Sequence, residues 1–349
     1  MHIFFVFEDF CLGGVERVTE QLITGLQSIH NCNITIVCEQ KSGDLTARFK
    51  ELAPIYELGN KNKFINFRQI SLDLNPDLVV FTKGGLSKYG LFISKKIKKI
   101  AIQHTPINLP QESRFKNVVR RLGATFLYSQ LDAVVCVSKG ILTNLVKLNV
   151  VSKNNVHCIY NPVLDESIKQ LANKEVKYSD YFVCVGRLHH QKGYDLLVDA
   201  IGKAKQTNHV IKVVIIGDGP ELKNLKKLIS DKSLSDNIIL HGSTNNPYKY
   251  IANAKAILLT SRWEGLPTVL VEAAYLNTPI ITFDCRYGPK ELTNNGKNGY
   301  LVDFLDTDQL VKKIITVNEK RNLLPSPAVD DFLLPAATQY YYTLFKSLL

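Results

Sequence analysis

Several features that would set this chain apart from ordinary soluble proteins are absent or scarce. Its seven cysteines include no Cys-x-x-Cys pair, and the 349 residues contain one methionine and one tryptophan. Most of the cysteines fall inside apolar segments, which indicates packing in a reduced, cytoplasmic protein and disfavours a disulfide framework or a zinc site. Glu8 and Asp9 interrupt the first apolar stretch, residues 2–7, at once. We therefore expect a buried strand there, and neither a secretion signal nor a membrane span.

The remaining composition predicts two domains of the α/β class. The chain is longer than one hydrophobic core usually supports, and it is 45% hydrophobic and 21% charged. Short apolar segments alternate with amphipathic ones, which is typical of parallel sheets covered by helices. The predicted strands are 2–7, 33–39, 77–82, 99–104, 133–138, 156–161, 181–187, 212–219, 237–242, 255–260, 279–284 and 299–303.

Two sets of six strands predict two Rossmann-like, doubly wound domains. The polar segment 161–180 opens with Asn161-Pro162 and is the expected boundary. We therefore predict a first domain at 1–165, a second domain at 166–330 and a C-terminal segment at 331–349 that ends as a helix.

The net charge of +11 is concentrated in two stretches that lack acids, 94–100 and 113–126. In the second stretch Phe115, Val118, Val119 and Leu122 follow helical spacing, and cations flank them. This pattern predicts a basic amphipathic helix that lies on anionic lipid, or a helix packed on the core with a solvated basic face; both interpretations stay open. Nucleic acid is disfavoured as a partner because no aromatic residues alternate with the charges.

Several strand ends carry residues suited to a phosphorylated ligand. In doubly wound sheets, ligands bind at the carboxyl ends of the strands. Gly13 and Gly14 follow the first strand and open a helix, so the backbone can approach a phosphate or sugar there. Arg187 and Lys192 flank a loop after another strand, and a planar and a mobile cation together suit a diphosphate.

Two acids in an otherwise apolar segment complete the set. Glu264 lies in the loop after the strand 255–260, and Glu272 lies inside the helix that Pro267 or Thr268 is expected to open. An unpartnered buried carboxylate is costly, so each acid requires hydrogen-bond donors. Ribose and hexose hydroxyls supply them, and the two cations neutralise a pyrophosphate. Together these residues predict a site for a nucleoside-diphosphate sugar.

These motifs resemble the retaining glycosyltransferases of family 4, which have the GT-B fold, across nearly the whole chain. The matching segments are GGVERV (13–18), QHTP (103–106), VGRLHHQKG (185–193), IIGDGPE (215–221), SRWEGLPTVLVEA (261–273) and GPKELTNNGKNGYLV (288–302). The resemblance implies two Rossmann-like domains, an N-terminal acceptor domain at 1–165 and a nucleotide-sugar domain at 166–330, with the active site in the cleft between them. The same resemblance implies that the C-terminal helix at 331–349 returns to the first domain. It also implies that Glu272 binds the ribose hydroxyls, that Glu264 binds the transferred sugar, and that Arg187 and Lys192 bind the diphosphate.

The resemblance assigns further contacts to the donor. Backbone amides of Gly265, Leu266 and Thr268 are expected to touch its sugar or phosphate, and His104 matches a position near the reaction centre. Pro267 stands where relatives commonly have glycine, so an amide contact from that residue is not expected.

Other motifs in the chain favour no cofactor. GDGPEL at 217–222 lacks the third glycine of a dinucleotide fingerprint, and Asp306-Thr307-Asp308 is interpreted as a helix cap and not as a metal site. We expect no metal, because cations and helix amides already face the phosphates.

The predicted function is transfer of a sugar, with retention of configuration, from a nucleoside-diphosphate sugar, UDP being the commonest in the family. The expected acceptor is a hydroxyl of a lipopolysaccharide, capsule or teichoic-acid precursor. The expected location is cytoplasmic, at the inner face of the cell membrane if residues 113–126 bind lipid. Two alternatives remain: a nucleotide-sugar epimerase of similar shape, and a non-enzymatic membrane scaffold. The sequence names neither the sugar nor the acceptor.

Overall fold

The structure, a computed structural model, describes residues 1–11, 13–108, 112–320 and 324–349. Its chain divides into two compact units: unit 1 is Met1–Val163 with Asp330–Leu349, and unit 2 is Leu164–Val329. Each unit contains one parallel sheet with helices against it, so the predicted α/β fold class is confirmed.

Unit 1 has a seven-stranded parallel sheet in the order β3-β2-β1-β4-β5-β6-β7. The strands are β1 (His2–Phe7), β2 (Asn33–Cys38), β3 (Ile55–Glu57), β4 (Leu78–Phe81), β5 (Lys98–Gln103), β6 (Ala133–Cys136) and β7 (Val156–Cys158). The central strands are buried on both faces, which explains their unbroken apolar sequences. Strand β1 pairs in parallel with β2 and β4, and Ile3 lies opposite Ile34 of β2 and Leu78 of β4.

Helices pack against the sheet of unit 1. They are α1 (Gly14–His30), α2 (Thr46–Leu52), α3 (Lys63–Leu74), α4 (Arg114–Tyr128), α5 (Lys139–Lys147) and α13 (Leu334–Leu348). The C-terminal helix α13 packs on α1, where the rings of His30 and Tyr342 stack 3.9 Å apart. Gly25 lets the two helices approach, since a Cβ there would lie 2.3 Å from the Thr338 hydroxyl. The predicted return of the C-terminal helix to the first domain is therefore observed within unit 1.

Unit 2 has a six-stranded parallel sheet in the order β10-β9-β8-β11-β12-β13. Its strands are β8 (Phe182–Val185), β9 (Val213–Ile216), β10 (Ile238–Gly242), β11 (Ile257–Leu259), β12 (Ile280–Phe283) and β13 (Tyr300–Val302). Its helices are α6 (Ser167–Ala172), α7 (Tyr194–Gln206), α8 (Leu222–Asp231), α9 (Tyr248–Ala252), α10 (Thr268–Tyr275), α11 (Pro289–Leu292) and α12 (Thr307–Lys320). A core of aliphatic side chains from the strands, α7 and α12 holds the layers together.

Every strand predicted from the sequence is present, and one further strand was not predicted. That strand, β3, is three residues long and mostly exposed, so it produces no apolar run. Among the residues that the structure describes, no helix combines the length and hydropathy needed to cross a bilayer.

Candidate functional site

The strand order of unit 2 reverses between β8 and β11. From β8 the chain proceeds outward to β9 and β10, and it then returns to the other side of β8 to form β11. The connections that follow β8 and β11 therefore start side by side at the carboxyl edge of the sheet and lead to its opposite sides. In open α/β sheets such a reversal of strand order is where ligands bind.

Lys192 and Glu264, one from each of these loops, meet at this edge. The Lys192 ammonium Nζ donates to Glu264 Oε1 over 2.7 Å, and the Ser261 hydroxyl donates to the same oxygen over 2.6 Å. The Glu264 side chain is 7% exposed and that of Lys192 is 20% exposed. Such a sheltered ion pair fixes the position of both groups, because separating them would leave a charge in a poorly solvated place.

Further contacts join the two loops beside this pair. The Arg262 guanidinium donates to both carboxylate oxygens of Asp195, over 2.9 and 2.6 Å, and also to the carbonyl of His190 over 2.8 Å. Burial raises the pKa of Asp195, but the hydrogen bonds and charge of Arg262 outweigh it and hold that pKa below its usual range. Gln191 Nε2 donates to the Trp263 carbonyl over 2.8 Å. The segment around Lys192 is thereby held against the segment around Glu264.

Gly193 is required for this close approach. Its φ is +63°, and a Cβ at this position would lie 2.1 Å from the carbonyl oxygen of Thr260. Any other residue would push the loop after β8 away from the end of β11, and with it the Lys192 ammonium. The glycine that ends the VGRLHHQKG motif therefore contributes to the geometry of the pair.

Arg187 differs from the two other cations at this edge. It lies in the loop directly after β8 and is exposed. Its side chain has no hydrogen bond or ion pair with the part of the chain that the structure describes. A guanidinium without a protein partner at the switch point is available to an anionic ligand.

The loop after β11 leads into α10 as the sequence predicts. Pro267 is the N-cap residue, and Thr268 is the first residue of the helix. Gly265 and Leu266 precede it and are buried. Glu272 lies at the start of the second turn of α10 and is half-buried, so it is more accessible than its apolar sequence surroundings indicated.

Unit 1 has a switch point of its own, between β1 and β4. Lys83 follows β4, and its ammonium lies 2.9 Å from Glu8 Oε2, after β1, and 3.2 Å from Glu16 Oε1, in the first turn of α1. A Cβ on Gly13 would lie 2.4 Å from Glu16 Oε2, so glycine lets this carboxylate fold back over the start of α1. Gly14 has open space around its α-carbon. A negative side chain thus already faces the amino end of the helix, where the macrodipole favours it.

His104 lies after β5 at the same edge of the unit 1 sheet. Its Nε2 is buried and has no hydrogen-bond partner among the described residues, while the ring bonds to the backbone of Thr82. Burial and, to a smaller extent, the charge of Lys83 lower the pKa of His104, the bond to Thr82 opposes them, and the resulting pKa is about 4. The imidazole is therefore neutral near pH 7, with Nε2 left for a ligand.

The structure thus brings Lys192 and Glu264 into direct contact, and it places the other predicted residues at strand ends. Arg187, Gly265, Leu266, Thr268 and Glu272 follow β8 and β11 in unit 2, and Gly13, Gly14 and His104 belong to unit 1. Sequence reasoning missed four residues of these charged clusters: Ser261, Lys83, Glu8 and Glu16. Ser261 stands three residues before Glu264, and Lys83 directly follows a predicted strand, so both carried a positional signal.

Asp306 caps a helix, as predicted. Its carboxylate accepts from the backbone N–H of Gln309 over 2.8 Å at the start of α12, and Asp308 pairs with Lys203 over 2.5 Å. Within residues 1–11, 13–108, 112–320 and 324–349, no three His, Cys, Asp or Glu side chains are grouped as metal ligands. The need for a metal remains untested, and its absence stays a prediction.

The basic amphipathic helix is α4, and it presents its apolar face to solvent. Phe115, Val118, Val119, Leu122 and Phe126 share one stripe and are all exposed, Phe115 by 76% and Leu122 by 61%. The side that is turned inward holds smaller or polar residues together with Tyr128, which is buried. The interpretation of a helix packed on the core by its apolar face is therefore wrong.

Two family models match successive parts of the chain. The model described as Glycosyltransferase Family 4 matches residues 12–166, and the model described as Glycosyl transferases group 1 matches residues 166–326. Together the two models span residues 12–326. The chain is a glycosyltransferase. The predicted resemblance to glycosyltransferases and the predicted enzyme class are confirmed, retention of configuration stays a prediction, and the alternative of a nucleotide-sugar epimerase has no support.

Two relatives of this chain are themselves named as sugar transferases. It is 28% identical over 335 residues to the amylovoran biosynthesis glycosyltransferase AmsD of Erwinia amylovora, with 89% of each chain covered. It is 30% identical over 220 residues to the Campylobacter jejuni N-acetylgalactosamine-N,N'-diacetylbacillosaminyl-diphospho-undecaprenol 4-alpha-N-acetylgalactosaminyltransferase, covering 63% of this chain and 60% of that one. Matches to two of the curated relatives thus span about three fifths of their length.

A solved structure shares the whole architecture. The crystal structure of Anabaena HepE in complex with UDP superposes with a TM-score of 0.82, at 18% identity, over 99% of this chain and 100% of that chain. At this identity the likeness shows the GT-B fold alone.

Proposed function

We propose that this glycosyltransferase is a retaining family 4 enzyme that transfers a sugar from a UDP-sugar to a hydroxyl of a cell-surface glycan or glycolipid precursor. The observation that carries the proposal is the switch point of unit 2. There the Lys192–Glu264 pair is held in place and the Arg187 guanidinium has no partner in the described chain. Two cations and one sheltered carboxylate suit a diphosphate joined to a sugar.

These groups bind different parts of the donor, according to their charge. Arg187 and Lys192 face the diphosphate, and the Glu264 carboxylate accepts from sugar hydroxyls while it also holds Lys192. Glu272, half-buried on α10, accepts from the two ribose hydroxyls. The amides of Gly265, Leu266 and Thr268 complete the contacts, and Pro267 contributes no N–H.

The reaction breaks the bond between the anomeric carbon and the diphosphate oxygen. Negative charge grows on the diphosphate as this bond breaks, so cations aimed at it stabilise the transition state more than the ground state. The acceptor hydroxyl then attacks the face that the diphosphate leaves, and its proton passes to the departing diphosphate. This sequence of steps gives retention without a protein nucleophile.

His104 in unit 1 has the properties of a neutral hydrogen-bond partner for a sugar hydroxyl. Because its pKa is lowered to about 4, the ring carries no charge that would compete for the diphosphate near pH 7. Its unpartnered Nε2 gains a hydrogen bond when a hydroxyl reaches it. Gly13 and Gly14 give backbone access to the same edge of the sheet.

The proposed acceptor side includes an anionic membrane surface at residues 113–126, on the cytoplasmic face. The cations Arg114, Lys116, Arg120 and Arg121 flank the exposed apolar stripe of α4, and that arrangement favours anionic lipid headgroups. The diphospho-undecaprenol in the printed name of the C. jejuni relative supports a lipid-linked acceptor.

A screen of nucleotide sugars tests the donor. UDP-, GDP- and ADP-sugars are compared at one shared concentration, about 100 times the dissociation constant of the UDP-sugar. The UDP-sugar should then stabilise the protein by about 2–3 kcal/mol and be hydrolysed slowly, and the GDP- and ADP-sugars should stabilise it less. The product made with a simple alcohol should keep the anomeric configuration of the donor, as read from its NMR coupling constants. An inverted product, or stabilisation by GDP- or ADP-sugars alone, would contradict the proposal.

A further inference from the structure

The connections of unit 1 place α3, the 3-10 helix Gly84–Phe92 and α4 in one layer. The chain crosses the sheet in the same direction from β3 to β4, from β4 to β5 and from β5 to β6. Right-handed crossovers put these connections on one face of the sheet, and the opposite face receives α1 and α2. Contacts of the 3-10 helix with both α3 and α4, and of α13 with α1, agree with this arrangement.

This layer carries a second exposed apolar surface besides the stripe of α4. We call it the α3 patch, and it consists of Phe64, Ile65, Leu72, Leu91 and Phe92. Ile65 is 66% exposed and Leu72 is 60% exposed. The rings of Phe64 and Phe92 lie 4.6 Å apart, which joins α3 to the end of the 3-10 helix. The patch is therefore one surface built from two elements.

Cations border the α3 patch as they border the stripe of α4. Arg68 is exposed on α3 between the apolar residues, and Lys95 and Lys96 are exposed just after Phe92. The segments 58–72 and 91–100 contain no acid. An apolar surface with a cationic border matches a bilayer that contains anionic lipid.

Exposed apolar side chains are concentrated in unit 1. Of the 17 large hydrophobic residues that are exposed in the described chain, only Val210, Phe304 and Leu305 belong to unit 2. Ten of the others form the α3 patch and the stripe of α4. Contiguous exposed apolar surface normally marks an interaction site.

We infer that the α3 patch is a second membrane contact, which binds anionic lipid bilayers together with α4. The inference rests on the proposed lipid-linked acceptor, because it assigns the surface that would hold the enzyme where such an acceptor is found. A bilayer is favoured over a second copy of the chain, since two copies would bring Arg68, Lys95 and Lys96 against the same cations. Two linked contacts bind far more tightly than either one alone.

Vesicle sedimentation separates the two contacts. The double variant Ile65→Ser/Leu91→Ser should bind vesicles of phosphatidylcholine and phosphatidylglycerol about tenfold more weakly than the parent. Arg120→Ser/Arg121→Ser should also weaken binding, and added salt should mimic that loss. Val210→Ser, at an 86% exposed apolar residue of unit 2, is the matched control and should bind as the parent does.

A fluorescent reporter tests the contact directly. Trp263 is the only tryptophan and is buried in unit 2, so its signal provides a constant background. A Phe92→Trp variant should shift to the blue on anionic vesicles and be quenched by brominated lipid. Tyr340→Trp, at an exposed residue of α13 on the opposite face, is the control and should do neither.

The outcomes distinguish this inference from the proposed function. If Phe92→Trp stays unquenched on vesicles that bind the protein, or if Ile65→Ser/Leu91→Ser binds like the parent, α4 acts alone and the inference is overturned. A blue shift without lipid that grows with protein concentration would assign the patch to a second copy and also overturn it. UDP-sugar hydrolysis in solution should be unchanged in all these variants, and its absence in the parent would instead contradict the proposed function.

Discussion

Both sheets have a switch point, but the charged groups compared at the two switch points have opposite net charge. At each one a lysine after a central strand bonds to a glutamate from a neighbouring segment. In unit 2 the groups are Arg187, Lys192 and Glu264, with one cation in excess. In unit 1 they are Lys83, Glu8 and Glu16, with one carboxylate in excess.

The difference indicates which part of the substrates each unit can bind. We expect a diphosphate to bind at the edge of unit 2 beside Arg187, and not beside Glu8 and Glu16 of unit 1. The carboxylates and the neutral imidazole of unit 1 are mainly hydrogen-bond acceptors, and hydroxyl groups satisfy them. The same fold, used twice, thus provides one edge suited to phosphate and one suited to sugar or acceptor hydroxyls.

The largest effect should come from removing Arg187, the cation at the switch point of unit 2 that is unpaired among the described residues. Arg187→Ala should lower the turnover number by about 100- to 1000-fold, because it removes a charge aimed at the leaving diphosphate. The free energy of unfolding should change by less than about 0.5 kcal/mol, since Arg187 has no partner in the described chain. Steady-state kinetics and urea unfolding measure the two effects. Lys192→Ala is a poorer test, because it also leaves the buried Glu264 without its cation.

A matched variant in unit 1 tests the comparison itself. Lys83→Met removes a lysine at the corresponding switch point, and it should leave the affinity for UDP unchanged in calorimetry. Lys223→Ala, at an exposed cation of α8, is the control for charge alone within unit 2. The contrast between the units would be lost if Lys83→Met weakened UDP binding as much as Arg187→Ala does.

The second prediction concerns the acid stability of unit 1. The pKa of His104 is lowered to about 4 from an unfolded value near 6.5, so the folded state disfavours the protonated ring. The contribution of this group is fully present above pH 6.5 and is lost as the pH falls toward 4. Between pH 7.5 and 4.5 the parent should lose about 2–3 kcal/mol more than His104→Gln. Urea unfolding at both pH values measures this difference, and equal losses would show that His104 is protonated without cost.

The sequence predicted most strands well because the central strands of both sheets are buried on both faces. Buried parallel strands must be apolar throughout, so β1, β4 and β6 were recognisable as unbroken runs. The edge strand β3 was missed, since a short exposed strand needs no apolar residues. Motif spacing identified Lys192 and Glu264 but not their direct contact, which depends on strand order and on the close approach that Gly193 permits.

The orientation of α4 lay beyond sequence reasoning for a physical reason. An amphipathic pattern specifies two faces, Phe115 and Leu122 on one and Asn117 and Ala124 near the other, but not which face meets the sheet. Apolar faces are normally buried, so the exposed stripe could be found only from the structure. The acids around Lys83 were missed because Glu8 and Glu16 come from segments remote in sequence.

The third prediction tests whether Glu272 of unit 2 binds the ribose of the donor. Glu272→Gln keeps the size of the side chain but removes its charge, so UDP should bind about 1–3 kcal/mol more weakly, with the fold intact. Glu272 is half-buried, and thermal unfolding without ligand separates any loss of stability from the loss of binding. Calorimetry with UDP and with the nucleotide sugar measures the affinities. If both affinities equal those of the parent, the ribose is held elsewhere.

The smallest expected effect is none at all, on removal of divalent metal. We expect this because Arg187 and Lys192 of unit 2 already provide cations that stabilise the charge of the diphosphate. Excess chelator should leave most of the rate, and Asp308→Ala should do the same, because Asp308 is paired with Lys203 at the start of α12. The Arg187→Ala variant gives a more specific test. If added magnesium restores the rate of this variant, the metal can replace the missing charge although the parent enzyme does not require it. A parent enzyme that chelator abolishes and magnesium or manganese restores would contradict the metal-free reaction. The charge difference between the two switch points would then not account for diphosphate binding.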